Sequence, residues 1–169
     1  GRPVSDLWSM QNGYALATRT GLEMIGAHLR ETGDAAVNEL AGHLRVGVHQ
    51  GVEATDGPSS PGPRVTQVFC SALPVAYGRW PQQLWQEFAQ LILDAAYEAT
   101  LLAGVLNSRQ GGSNIVLLTL LGGGAFGNAS EWIHTAIQRA LDKTQVHGLD
   151  VRMVSYGQPS AQLQALVEL

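Results

Sequence analysis

Asn114-Ile-Val-Leu-Leu-Thr-Leu-Leu-Gly-Gly-Gly-Ala-Phe-Gly-Asn128 is the stretch whose reading decides the fold expected of this chain. Six of the seven residues Ile115 to Leu121 are apolar, with Thr119 the exception. A run of that length ending in glycines reads as a strand buried on both faces, as in the middle of a parallel sheet. Gly122, Gly123, Gly124 and Gly127 follow, and then a helix begins with Asn128 or Ser130 as its cap. A buried strand, a glycine turn and a helix start together suit an anion. Backbone N–H groups lack partners, the helix dipole favours negative charge, and missing Cβ atoms let a phosphate reach the main chain. The same letters also describe a tight turn with no ligand.

Outward from this stretch, residues 130–141 form an amphipathic helix with Trp132, Ile133, Ala136, Ile137 and Leu141 inward, and residues 148–157 a last strand. Residues 160–169 close the chain as a short helix. Pro81 opens the longest helix, residues 81–106, whose Leu84, Phe88, Leu91, Ala95 and Leu102 trace one stripe. Helix, strand, helix, strand makes a parallel crossover. Further upstream, residues 44–55 and 65–73 alternate like strands on either side of the Pro/Gly-rich loop 56–63, which suggests an antiparallel pair. Residues 5–12 read as a strand running into a loop. A helix in the second half of residues 14–30 has Thr20 as a cap, and Asp34 caps another through Leu44. The expected fold is a three-layer α/β/α sandwich with a mixed, mostly parallel central sheet, formed by residues 1–169 as a single domain.

Composition bounds the function. The formal net charge is −4 with only ten Lys plus Arg, and no basic cluster is present, so no nucleic-acid partner is expected. An apolar fraction of 45% with no uninterrupted apolar run of membrane length predicts a soluble protein without a membrane partner. Cys70 is the single cysteine, so no internal disulfide can form and an intracellular, cytoplasmic setting is expected. No His or Cys pair has zinc spacing, and neither a metal nor a cofactor is expected. The chain begins Gly-Arg-Pro, which reads as an excerpt of a longer protein whose other domains are expected partners.

Gly122-Gly-Gly-Ala-Phe-Gly127 matches Gly-x-Gly-x-x-Gly by letter. That dinucleotide fingerprint opens a domain and needs an acidic residue after the next strand; here the glycines come late, and residues 151–155 lead into Tyr156 and Gly157. The pattern instead resembles the macro domains, across Gly47 to Gly157. In that family a buried strand ends in a Ser-Thr-Gly-(Ile/Val)-(Phe/Tyr)-Gly loop around a diphosphate. Gly124-Ala125-Phe126-Gly127 fits its second half, and Gly122 and Gly123 stand where the family has hydroxyl residues. The strand pair ending at Pro74 also looks similar. Tyr156 stands where the family places an adenine-stacking aromatic, and Ser9-Met-Gln-Asn12 resembles its ribose-binding Asn segment.

The resemblance implies binding of ADP-ribose, or of a related nucleotide diphosphate, free or on an ADP-ribosylated protein. The implied contacts are Gly122, Gly123, Gly124, Ala125, Phe126, Gly127, Asn12 and Tyr156. The family's hydrolases carry a second glycine-rich loop after the Asn; Gly13-Tyr14-Ala15-Leu16-Ala17 replaces it, and Asp6 is the sole early acidic candidate for adenine. The alternatives are an ADP-ribosyl hydrolase using Asn12, and a non-catalytic protein-interaction module whose glycine turn is structural. His49 and His134 read as solvated, Glu53 and Asp56 as wet strand-end charges, and Cys70 as a small core residue rather than a nucleophile.

Overall fold

A computed structural model describes residues 3–155, 157–159 and 161–167. Tyr156, the expected adenine platform, lies outside the described residues. The elements in order are β1 (Trp8–Gln11), β2 (Tyr14–Ala17), α1 (Arg19–Glu31), α2 (Asp34–Ala41), β3 (Gly47–Glu53) and β4 (Arg64–Phe69). They are followed by α3 (Gln86–Arg109), β5 (Ile115–Leu118), α4 (Ser130–Thr144), β6 (Asp150–Met153) and α5 (Ala161–Val167).

The core is centred on a helix pair rather than on a sheet. One face of α3 buries Leu93, Tyr97 and Leu101, and α4 answers with Trp132, Ile133 and Ile137. Ala89, Ala96, Ala136 and Ala140 are fully or almost fully buried and let the two helices approach closely. Trp85, in the 3-10 turn before α3, is fully buried at the end of this core. Gln82–Arg109 also meets the length and hydropathy of a membrane span, contrary to the reading of the apolar runs. Burial of its apolar face against α4 and β5 gives that composition a second cause.

Among the described residues, three two-stranded sheets surround this helix pair: β1–β2, β3–β4 and β5–β6. The expected α/β/α sandwich with one mostly parallel central sheet is therefore incorrect. Of the three pairs, only β5–β6 is parallel, and α4 makes its crossover as expected. β3 and β4 are antiparallel, also as expected, with a bulge between His49 and Val52. The pairs are tied to different parts of α3 and of the segment that leads into it. Thr66 donates to Asn107 Oδ1 (2.7 Å) and Cys70 lies by Thr100, so β4 runs along one flank. Gly104 admits β5: a Cβ there would stand 2.5 Å from Val116 Cγ2. Trp80 Nε1 donates to Ala17 O (3.1 Å), tying β2 down near the start of the helix.

The central apolar run is also shorter as a strand than its letters suggest. β5 stops at Leu118 because Leu121 N donates back to Thr119 O (2.9 Å) in a tight turn. Leu120 and Leu121 thus reach the core as turn residues. Val116 and Leu118 are buried, whereas Ile115 and Leu117 are 43% and 63% exposed, so β5 is covered on one face and not on two.

At the N-terminus, residues 14–17, ahead of the expected helix, form a strand. Asn12 (φ 49°) and Gly13 (φ 83°) make a two-residue hairpin turn that pairs Gln11 with Tyr14 and Trp8 with Ala17. Thr18, not Thr20, caps α1, its Oγ1 accepting from Gly21 N (2.9 Å). Gly33 takes the N-cap position of α2, which starts at Asp34 itself.

Candidate functional site

The glycine turn runs from β5 into α4. The Tyr97 hydroxyl, rising from α3, accepts from Leu121 N (2.8 Å) and donates to Thr119 O (2.9 Å), fixing the entrance to the turn. Burial pushes the Tyr97 phenol well above its usual range, against the opposing effect of the Leu121 N–H. Asn128 fixes the exit. Its backbone N–H donates to Gly122 O (2.9 Å), and its Nδ2 to Leu73 O (2.9 Å) and Gly122 O (3.0 Å). Asn128 is thus a buried brace under the turn, not the helix cap; Ala129 occupies that position, and Ser130 is the first residue of α4.

The glycines divide into two kinds. At Gly122 (φ +81°) a Cβ would stand 2.5 Å from Ala72 Cβ and 2.8 Å from Asn128 Nδ2, so both backbone and packing demand glycine. Gly127 is similar: a Cβ would meet Ala76 Cβ at 2.7 Å. Gly124 (φ +58°) differs, since no atom lies within 4 Å of the place its Cβ would take. Gly124 and Ala125 are exposed at the crest of the turn, and Gly123 is extended below them. No side chain caps α4. Its exposed first-turn residue Glu131 supplies a negative charge of its own near the helix start.

Phe126 brings in two residues that the sequence did not single out. Its ring meets Tyr14 (5.8 Å) and Tyr77 (5.6 Å) edge-on, and those two meet each other at 5.2 Å. Tyr14 directly follows the Asn12-Gly13 turn, so the hairpin carrying Asn12 is drawn to the glycine turn. Asn12 itself has the positive φ of its turn position. The Asn-Gly pair was the signal that could have placed Tyr14 at a hairpin end. Tyr77 had no comparable marker.

The remaining candidates lie elsewhere. His49 is exposed against the Phe69 ring (5.2 Å), and His134 is half-buried on α4. Glu53 accepts from Gly62 N (2.9 Å) and braces the β3–β4 connection; Asp56 is exposed within it. Cys70 is half-buried, and burial pushes its thiol up, toward the protonated form, against the opposing effect of the Thr100 hydroxyl. Among the described residues no His, Cys, Asp and Glu group is placed to hold a metal ion. Two concavities of about 170 and 250 Å³ lie along α3, and no residue of the glycine turn lines either. The larger includes Asp94, which is already paired with Arg139 (2.6 Å) and Gln90 (2.7 Å).

Comparison of the chain with protein-family models, curated proteins and solved structures gives no match.

Proposed function

We propose that this protein binds ADP-ribose or a related nucleotide diphosphate, free or carried on a protein, with the diphosphate on the turn 122–127 at the start of α4. The observation that carries this reading is Gly124. Its neighbours Gly122 and Gly127 are glycine because protein atoms fill the space beside them, while Gly124 has open space and an exposed backbone. A ligand can reach the main chain there, beside a helix start that no side chain caps. The quoted likeness to the macro-domain loop supports the same ligand class.

Calorimetric titration with ADP-ribose tests it, on the wild type and on Gly124→Glu. A carboxylate at residue 124 would occupy the open space and repel a phosphate. Wild-type binding that is lost in a folded variant is the expected result. No heat with ADP-ribose, ADP or NAD would refute the reading.

A second reading, a non-catalytic interaction module, is favoured by the outward face of β5. Parallel strands are ordinarily covered on both sides, yet Ile115 and Leu117 are exposed. This reading expects no nucleotide binding and a partner that protects Leu117 from hydrogen exchange.

A further inference from the structure

The corner made by Tyr14, Tyr77 and Phe126 is a second feature of the same region, and the phosphate turn does not account for it. Tyr14 and Tyr77 are 38% and 45% exposed although each packs against two other rings. The interplanar angles are 89°, 87° and 74°, so the three rings stand nearly perpendicular and hold one another in place. A fixed, half-exposed aromatic surface binds a flat partner with little further loss of side-chain freedom.

The local sequence builds this corner from three separate segments. Tyr14 opens β2 after a two-residue turn. Tyr77 ends the 3-10 turn Val75–Tyr77, which docks because Gly127 leaves room for Ala76. Phe126 comes from the glycine turn itself, two residues beyond Gly124. Those two backbone positions are at most about 7 Å apart. A nucleotide with its phosphates at Gly124 can therefore set its base against the rings, with the ribose between them.

We infer that the exposed tyrosines Tyr14 and Tyr77 form the shelf on which the base of the bound nucleotide stacks. This inference rests on the nucleotide reading given above. The base face of any purine suits such a shelf, so the rings supply affinity more than base identity. Phe126, held between the shelf and the core, sets the spacing between base and phosphate.

The test is titration of wild type, Tyr14→Leu, Tyr77→Leu and the two Tyr→Phe variants with ADP-ribose, and of wild type with a ribose diphosphate that lacks the base. Loss of a stacking ring should weaken ADP-ribose binding about tenfold. The Phe variants keep the ring and should bind as the wild type does. The base-free ligand should bind the wild type at least tenfold more weakly than ADP-ribose. Wild-type binding that both Leu variants retain would overturn the shelf and leave the phosphate turn standing. Should the Leu variants not fold, equal affinity of the two ligands for the wild type would overturn it. No binding of ADP-ribose by the wild type overturns the nucleotide reading and the shelf together.

Discussion

Alanine at Gly122 and at Gly124 should have unequal costs, and the difference measures how much of the glycine turn is required by the fold. Both residues have positive φ, so an added Cβ carries a backbone penalty of about 1–2 kcal/mol at either place. Reduced freedom of the unfolded chain offsets about 0.4–1 kcal/mol of it. At Gly124 nothing else changes, and Gly124→Ala should stay within about 1.5 kcal/mol of the wild type. At Gly122 the new Cβ meets Ala72 Cβ at 2.5 Å and Asn128 Nδ2 at 2.8 Å. Overpacking of that kind adds about 1–3 kcal/mol, so Gly122→Ala should cost about 2 kcal/mol more than Gly124→Ala. For a chain of this size each kcal/mol moves Tm by about 2–4 °C, which separates the two variants by about 4–8 °C. Urea unfolding followed by tryptophan fluorescence gives the free energies directly, provided the slopes agree. Ala72→Gly should restore part of the loss in Gly122→Ala, because it removes the nearer contact; the two changes should be non-additive. Equal destabilisation at the two positions, or no rescue by Ala72→Gly, would refute this division of the glycines.

The other elements of the site and core give separable outcomes. Tyr97→Phe removes the hydroxyl that bridges Leu121 N and Thr119 O, which then keep only their hydrogen bond to each other, and should cost about 0.5–1.5 kcal/mol, with faster amide exchange at Leu121 as the local readout. The Tyr97 phenol is raised by burial, so below its unfolded value of about 10 its contribution is complete. Above that pH the unfolded chain releases the proton that the native state keeps, and stability falls as pH rises; Tyr97→Phe should flatten this alkaline slope. Asp94→Ala removes the carboxylate paired with Arg139, which is a third exposed and also donates to Asn38, and should cost about 1–3 kcal/mol after allowance for solvent screening. Asp150→Ala, which breaks the exposed pair with Arg152, should leave urea unfolding unchanged. Glu131→Gln removes a negative charge from the first turn of α4 and should tighten ADP-ribose binding several-fold at low salt, with the gain shrinking as salt is added.

Periodic segments were legible in the sequence where one partner sufficed to define them. The stripe of α3, the inward face of α4 and the crossover from β5 to β6 each follow from spacing and chain order alone. Pairing beyond neighbours was not legible. Whether β4 joins β5 depends on where each meets α3, and that is decided by contacts such as Thr66 with Asn107 and Gly104 with Val116. The length of β5 was hidden for a related reason. The apolar letters continue to Leu121, but the turn at Thr119 is held by a tyrosine hydroxyl from 22 residues upstream. The strand at residues 14–17 went unread because four residues are too few positions to show a period of two.

The site was legible as a cluster and not as a division of labour. Four glycines after an apolar run mark a place where the backbone is bare, yet the letters are identical whether protein or ligand occupies the space beside them. What separates Gly122 and Gly127 from Gly124 is the methyl groups of Ala72 and Ala76, which come from the segment between β4 and α3. That segment also delivers Tyr77, so a single docking event closes the packing beneath the turn and sets an aromatic ring beside it. The consequence is a coupling between stability and binding. A substitution that loosens the Val75–Tyr77 turn from its own side, such as Ala76→Val, should weaken ADP-ribose binding with Gly124 unchanged, because the shelf is displaced from the phosphate turn. A substitution at Gly124 should instead abolish binding at little cost in stability. Opposite rankings of the two variants by Tm and by affinity would be the signature of this arrangement; a single shared ranking would mean that the glycines serve the fold alone.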